Sequence, residues 1–236
     1  TKRSLLEIEW PAPDLDRLNG WTVAEAAQII ASGGDQDTDG PTIDLVEAAQ
    51  YVLPSRLVDL TDEVEEYART ILPPDRPFGE ALVALYAQIY RDFTYAKGTT
   101  SVKTTLPELL AQREGVCQDF AHLMLACLRS QGLAARYVSG YLLTQPPPGQ
   151  PRLIGADATH AWLDVYLPGA GWIGLDPTND CVVRDEHIVV ARARADVIAA
   201  IRRFEGDRPE QPTAEFRGYV VREAGGRYLG IFSTLD

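Results

Sequence analysis

One cysteine of this sequence stands where a reactive sulfur would be useful. Cys117 lies in the stretch GVCQDFAHL, after a glycine and a valine, at the start of a predicted helix over 117–131. The free N–H groups and the positive dipole end of a helix start stabilise an anion, and the thiolate is the nucleophilic form of cysteine. We therefore interpret Cys117 as a candidate nucleophile. The alternative is a cysteine that only packs at a helix end.

The other two cysteines have no such position. Cys127 lies in the apolar ACL stretch of the same helix and is predicted to fill the core. Cys181 follows a polar turn, and nothing in its surroundings assigns it a role. An odd, small number of cysteines without CxxC spacing indicates neither a disulfide framework nor a structural zinc site. Free thiols suit a reducing compartment, so we expect a cytoplasmic location.

A nucleophilic thiol needs a general base, usually histidine, and the sequence contains three histidines. His122 follows Cys117 on the same helix but points about 140° away, so a structural role is expected for it. His187 lies in a tail whose secondary structure is ambiguous. His160 begins the predicted strand THAWLDVYL, at a place where a sheet edge could face the helix start. By elimination His160 is the candidate base; the alternative is a strand-end histidine bonded to backbone.

The base needs a third group to orient it, and two aspartates are candidates. Asp164 shares the strand of His160, but four residues of strand span about 13 Å, beyond hydrogen-bond reach. Asp176 ends the next predicted strand, GWIGLD, after a tight PGAG turn. In such a hairpin the end of the second strand returns beside the start of the first, which places Asp176 next to His160. The alternative is that Asp176 only caps the following Pro-Thr-Asn turn.

The elements that must position these residues are helical first and extended afterwards. Apolar periodicity and stop signals predict helices at 22–32, 43–53, 62–72, 78–92, 106–113 and 117–131. Aromatic and β-branched composition predicts strands at 1–10, 134–144, 159–167 and 171–176. Weaker patterns indicate a strand at 187–193, a helix at 195–204 and a hairpin at 216–232 that turns at Gly225-Gly226. Helices followed by strands predict an α+β fold.

Composition excludes several classes of partner. The chain has 236 residues and a net charge of −12, whereas nucleic acids and anionic membranes attract a basic face. We therefore expect no nucleic acid and no membrane as partners. The length accommodates one large domain or two small ones.

Three blocks of the sequence resemble the core motifs of the bacterial transglutaminase-like superfamily. They are FTYAKGTTSVKTTLPELLAQREGVC, GVCQDFAHLMLACLRSQGLAARYVSGYL and DATHAWLDVYLPGAGWIGLDPTND, in that order. The resemblance implies a papain-like/transglutaminase core, in which N-terminal helices and the nucleophile helix pack on an antiparallel β-sheet. It also implies that Cys117 is the nucleophile, His160 the base and Asp176 the orienting acid. The short interval from Cys117 to His160 differs from the roughly 130–150 residues of papain itself.

The resemblance also suggests how the chain is divided. Residues 1–20 are expected to be a remnant of an N-terminal β-rich region, and 21–181 the transglutaminase-like catalytic core. Residues 182–236 are expected to be a C-terminal extension with a hairpin. Animal members of this superfamily use calcium, but no loop here has the spaced carboxylates of an EF-hand. We expect no metal and no cofactor.

The expected function is thiol-dependent acyl transfer on amide bonds of a peptide or protein substrate, by hydrolysis or by cross-linking to an amine. The backbone N–H of Cys117 is expected to bind the oxyanion, with Gln118, Trp162 and Trp172 as weaker candidate donors. The alternative is a non-catalytic peptide-binding module that keeps the fold. An N-acetyltransferase with a similar triad would need a coenzyme A cleft, for which the sequence shows no phosphate-binding site. The proline-rich loop before His160 leads into the candidate base, so it is expected to border the cleft; the alternative is a plain surface connection.

Overall fold

The helices surround one central helix that begins at the candidate nucleophile. The computed structural model describes residues 4–6, 16–32, 48–101, 103–143, 149, 154, 159–168, 170–193, 216–222 and 228–234. Within these ranges the helices are α1 (Val23–Ser32), α2 (Asp62–Ile71), α3 (Phe78–Asp92), α4 (Leu106–Gln112) and α5 (Cys117–Ser130), after a 3-10 turn at Asp16–Gly20. These bounds confirm the predicted helices at 22–32, 62–72, 78–92, 106–113 and 117–131 to within two residues.

Helix α5 is the core of the helical half. Every side chain from Asp119 to Arg129 is buried. The helix packs against α2 on one side and against the main sheet on the other. The guanidinium of Arg129 is satisfied inside the protein because it donates to the carbonyl oxygen of Ala135 at 2.8 and 3.1 Å. A helix buried all round holds its first residue, Cys117, in a fixed place.

The main sheet is antiparallel, as predicted. Its strands are β4 (Ala135–Leu142), β5 (Thr159–Leu167), β6 (Gly171–Asp176), β7 (Cys181–Val182) and β8 (His187–Ala193), in the spatial order β7-β6-β5-β4-β8. Alternate residues of β5 (Ala161, Leu163 and Val165) join the core that contains α5. The intervening Trp162 packs with Val138 and Val183 in a separate cluster. The fold is therefore α+β, with the helix of Cys117 on the sheet that carries His160 and Asp176.

One glycine sets how closely the outer strand approaches. Gly140 of β4 pairs with His160 on one side and with Val189 of β8 on the other, where the pairing register shifts. A Cβ at this position would overlap the carbonyl oxygen of Ile188 and the ring of Trp162. The absence of a side chain at Gly140 therefore lets β8 and Trp162 close together over this part of the sheet.

A short parallel pair of strands fixes the chain just before α5. Strand β2 (Thr94–Tyr95) pairs with β3 (Glu114–Gly115). A Cβ at Gly115 would lie 2.9 Å from Leu109 and 3.0 Å from Asp119, so only glycine fits there without displacement.

Among the described residues, no helix has the length and apolarity needed to cross a bilayer.

The chain termini contribute a second antiparallel sheet. Strand β1 (Ser4–Leu6) pairs with β10 (Tyr228–Thr234), which pairs with β9 (Phe216–Arg222). The register of β9 and β10 centres on position 225, as the predicted hairpin requires, although its turn lies outside the described residues. The predicted helix at 195–204 and residues 43–47 of the one at 43–53 also lie outside them. Of the described residues 48–53, only 48–49 are helical. The strand predicted at 187–193 is present as β8.

Candidate active site

The backbone entering α5 is held by an aspartate. Asp119 accepts the N–H of Val116 at 2.9 Å, and the hydroxyl of Thr100 donates to the same carboxylate oxygen at 2.6 Å. Cys117 is thus the first residue of a helix whose entry is fixed from two sides. The N–H groups of Cys117 and Gln118 belong to the first turn, where a helix offers them no internal acceptor.

The three cysteines differ in accessibility. All are free thiols; Cys117 is half-buried and Cys127 is completely buried. Burial raises the pKa of Cys127. Burial also raises the pKa of the half-buried Cys181, and the negative charges of Asp176, Glu186 and Asp180 raise it further. Reactivity towards an external reagent therefore favours Cys117.

His160 and Asp176 form a buried hydrogen-bonded pair. His160 Nε2 lies 2.8 Å from Asp176 Oδ2, and both side chains have 0% exposure. The hairpin explains the contact because Leu163 pairs with Leu175, so the next residue of β6 lies diagonally across from His160. The predicted contact between the candidate base and the candidate orienting acid is therefore present.

Asp176 accepts further hydrogen bonds from its surroundings. The amide of Asn179 donates to Oδ2 at 2.7 Å, and the N–H of Thr178 donates to Oδ1 at 2.9 Å. His187 Nε2 lies 3.1 Å from the same Oδ2. Asp176 thus does interact with the turn that follows it, as the alternative interpretation proposed, and it contacts His160 as well.

The surroundings favour the charged form of both partners. Burial by itself would raise the pKa of Asp176 and lower that of His160. Their mutual attraction and hydrogen bond outweigh burial, and His187 lowers the pKa of Asp176 further. The nearby Cys117 also raises the pKa of His160. The pKa of Asp176 therefore lies below its usual range and that of His160 above its own.

The pairing with Asp176 leaves one nitrogen of His160 available. Nε2 is engaged by the carboxylate, whereas Nδ1 has no hydrogen-bond partner within the described part of the chain. Nδ1 is therefore the ring nitrogen of His160 that remains for a further hydrogen bond.

The remaining histidine and aspartate of the sequence analysis have structural surroundings. His122 is buried against Tyr137, with ring centroids 5.2 Å apart. Burial and the nearby charge of Arg129 lower the pKa of His122 to about 4. Asp164 instead accepts from Arg136 at 3.0 Å and from Arg192 at 2.9 Å. Neither His122 nor Asp164 is paired with His160.

The weaker candidates for the oxyanion site lie in different places. Gln118 is half-buried beside Cys117. Trp162 is completely buried, with its ring centroid 6.0 Å from that of His160, so it packs behind the histidine. Trp172 pairs with Tyr166, six residues along β5 from His160 or about 20 Å. The structure therefore corrects the expectation for Trp172, which is not at the site, and puts Trp162 in the core.

One group of side chains has the composition of a metal site. His160, Asp176 and His187 each offer an atom, and these atoms lie within 4.8 Å of one another. All three residues are buried, and each Nε2 is already within hydrogen-bond distance of the carboxylate. Hydrogen bonding between these groups is sufficient to account for the cluster.

Sequence reasoning missed two members of this network. Asn179 follows Asp176 in the DPTND stretch and also accepts the N–H of Ile154 at 2.8 Å, which ties the loop before His160 to the site. The other residues of the loop at 145–152 lie outside the described ranges apart from Gly149. His187 was missed because the sequence beyond residue 180 has an ambiguous secondary-structure pattern, and because its contact with Asp176 depends on the pairing of β8 with β4.

Comparison with known proteins agrees with this geometry. A family model described as Transglutaminase-like superfamily matches residues 65–177, a range that contains Cys117, His160 and Asp176. A solved structure from Cytophaga hutchinsonii, described as a candidate cysteine protease, has a TM-score of 0.54 and 22% identity. The similarity covers 79% of this chain and 63% of that one. At this identity, the likeness concerns the fold alone.

Two curated relatives are informative about sequence. An uncharacterised protein of Mycobacterium tuberculosis is 44% identical over 202 residues, or 82% of this chain, which spans 60% of that relative's length. The protein-glutamine gamma-glutamyltransferase of Pseudomonas aeruginosa is 32% identical over 104 residues, which are 42% of this chain and 16% of that protein. Taken with the α+β fold around Cys117, the family match shows that residues 65–177 form a transglutaminase-like domain.

Proposed function

We propose that this protein is a thiol-dependent acyl-transfer enzyme that acts on amide bonds of peptides or proteins. Cys117 is the nucleophile, His160 the general acid and base, and Asp176 the residue that orients His160. The observation that carries the proposal is the buried 2.8 Å contact between His160 Nε2 and Asp176 Oδ2, which leaves Nδ1 to serve a thiol.

The first half of the reaction forms a thioester. The raised pKa of His160 favours the state in which the thiol proton already resides on Nδ1. The sulfur of Cys117 attacks the amide carbonyl carbon, and the negative charge passes to the carbonyl oxygen. We expect the N–H of Cys117 to bind that oxyanion at the helix start, with the side chain of Gln118 as a weaker candidate donor. Collapse breaks the C–N bond, and Nδ1–H protonates the departing amine.

The second half of the reaction transfers the acyl group. His160 Nδ1 takes a proton from the incoming acceptor, which attacks the thioester carbon. The carbon–sulfur bond then breaks, and the thiolate of Cys117 leaves beside the protonated His160, as at the start. Water as acceptor releases a carboxylic acid, which is hydrolysis. A primary amine as acceptor forms a new amide, which is cross-linking. The similarity to a protein-glutamine gamma-glutamyltransferase supports testing the amine alongside water.

The test is mass spectrometry after incubation with a mixed peptide library, with and without a primary amine. Cleaved peptides would identify a hydrolase, and a mass gain of one amine minus ammonia on glutamine would identify a transferase. The matched control is Cys117→Ala, which should lower the rate of formation of either product by about 10⁴-fold or more.

A different result would favour the alternative. If the protein binds peptides but gives neither product, and Cys117→Ala binds them equally well, the chain is a peptide-binding module and the enzymatic proposal is wrong. Detection of a thioester-linked peptide on Cys117 in the intact protein would support the first half-reaction independently of the acceptor.

A further inference from the structure

Asp176 is shared by two histidines. His160 Nε2 and His187 Nε2 lie 2.8 and 3.1 Å from the same oxygen, Oδ2. The side chain of His187 is 1% exposed and that of Asp176 is 0% exposed. Because the carboxylate can only accept when ionised, both contacts require a proton on Nε2.

The topology brings His187 to this place from the far side of the sheet. The chain leaves β7 at one edge and starts β8 at the other, and Val183 packs on Trp162 during the crossing. His187 is the first residue of β8, where it pairs with Leu142. The close approach allowed by Gly140 keeps the beginning of β8 next to His160.

If His187 served only to fill space in the core, its burial would cost free energy that an apolar residue would not. A buried imidazole loses hydration at both ring nitrogens, and an apolar side chain of similar volume would fill the space without that cost. The ring of His187 lies 5.1 Å from Trp162 in an edge-to-face arrangement, which an aromatic hydrocarbon ring would also provide. What a hydrocarbon ring would lack is the N–H directed at Asp176 Oδ2.

We propose that His187 is a positioning residue of the active site: its Nε2–H holds the Asp176 carboxylate in the orientation that receives His160 Nε2–H. The inference rests on the proposed function, because it assigns His187 to the same triad. The N–H of Thr178 holds Oδ1, while His187 and Asn179 approach Oδ2 beside His160. A carboxylate held from both oxygens cannot rotate away, so the ring of His160 keeps Nδ1 directed to the thiol.

Two variants separate the hydrogen bond from the ring. His187→Phe keeps an aromatic ring and removes the donor, whereas His187→Gln keeps an N–H near the position of Nε2. The first measurement is the rate constant for alkylation of Cys117 by iodoacetamide at pH 6.5, with labelled positions mapped by mass spectrometry. The second is kcat and KM on a peptide substrate found with the library.

The expected result is a loss in the variant without the donor. His187→Phe should lower both the alkylation rate constant and kcat by about 10- to 100-fold, the equivalent of losing one hydrogen bond to a charged group. KM should change little, because the side chain of His187 is buried and offers almost no surface to a peptide. His187→Gln should recover most of the loss. Cys127 should stay unlabelled in both variants, which shows that the core remains closed.

Other results have distinct meanings. If His187→Phe alkylates and turns over like the original protein, or if both variants lose activity only in step with labelling of Cys127, the positioning role is wrong. The control for the proposed function is His160→Gln. If that variant leaves the alkylation rate of Cys117 unchanged, the proposed triad itself fails, whatever His187 does.

Discussion

The carbonyl oxygen of Ile188 lies where the Cβ of any larger residue at Gly140 would have to stand. Gly140→Ala should therefore displace β8 and lower the free energy of unfolding by about 3 kcal/mol, the upper part of the usual cost of overpacking. Chemical denaturation measures this change in the free energy of unfolding. Gly20→Ala is the matched control, since nothing lies within 4 Å of a Cβ there, and it should change stability by less than about 0.5 kcal/mol. Equal effects of the two substitutions would contradict the packing argument.

Alkylation should distinguish the three cysteines by position. Iodoacetamide should label Cys117 at least about tenfold faster than Cys127 or Cys181, because burial raises the pKa of both others. Peptide mapping after timed quenching measures the order of labelling. Cys117→Ser should remove only the fast phase. Fast labelling that persists in that variant would assign the reactive thiol elsewhere.

Asp176 and Asp164, the two aspartates considered for orienting His160, should respond differently to replacement by asparagine. Asp176→Asn replaces an acceptor with a donor, favours the wrong tautomer of His160 and should lower kcat by about 10³- to 10⁴-fold, as in serine-protease triads. Asp164→Asn weakens the pairing with Arg136 and Arg192 and should cost about 3 kcal/mol of stability. The kcat of Asp164→Asn should be calculated per folded molecule, with the folded fraction measured by circular dichroism. It should stay within about threefold of the kcat of the original protein. A similar loss of kcat in folded protein from both substitutions would remove the special role of Asp176.

His122 should make the protein less stable in mild acid. Its pKa is lowered to about 4 in the folded state, against about 6.5 when unfolded, so the unfolded chain binds the proton first as the pH falls. Stability is then lost between these two values and levels off below the folded pKa. Between pH 7.5 and 5 the original protein should lose about 2 kcal/mol more than His122→Phe. Urea denaturation at both pH values measures this difference, and parallel losses would show that His122 is not the group responsible.

The sequence alone predicts those contacts that depend on residues close together in the chain. Asp176 could be placed beside His160 because a tight turn and the two-residue period of strands fix the hairpin register. The helix over 117–131 could be placed because its apolar run is bounded by Gly115 before and Gly132 after. These two local features are enough to propose the triad.

The sequence alone does not predict those contacts that depend on pairing between strands far apart in the chain. His187 reaches Asp176 only because β8 pairs with β4 after the chain has crossed the sheet. Trp172 is a candidate for the oxyanion site by its indole N–H, yet it lies at the far end of the strand that carries Asp176, under the guanidinium of Arg136 at 4.1 Å. No single-strand pattern indicates either arrangement, because both follow from which strands become neighbours.

The crowding of Asp176 limits what it can do during turnover. The carboxylate already accepts from His160, His187, Asn179 and the N–H of Thr178, and a carboxylate offers about four lone-pair positions. Oδ2 receives three of these contacts and Oδ1 receives one. Although burial raises the pKa of Asp176, its interactions with His160 and His187 hold that pKa below the usual range, so Asp176 is a poor acceptor of a transferred proton. One proton, at His160, is therefore expected to be in flight in the chemical step. A proton inventory in mixtures of H₂O and D₂O should accordingly give a rate that falls linearly with the deuterium fraction. A bowed plot would mean that a second proton, shared along the chain to Asp176, moves in the same transition state.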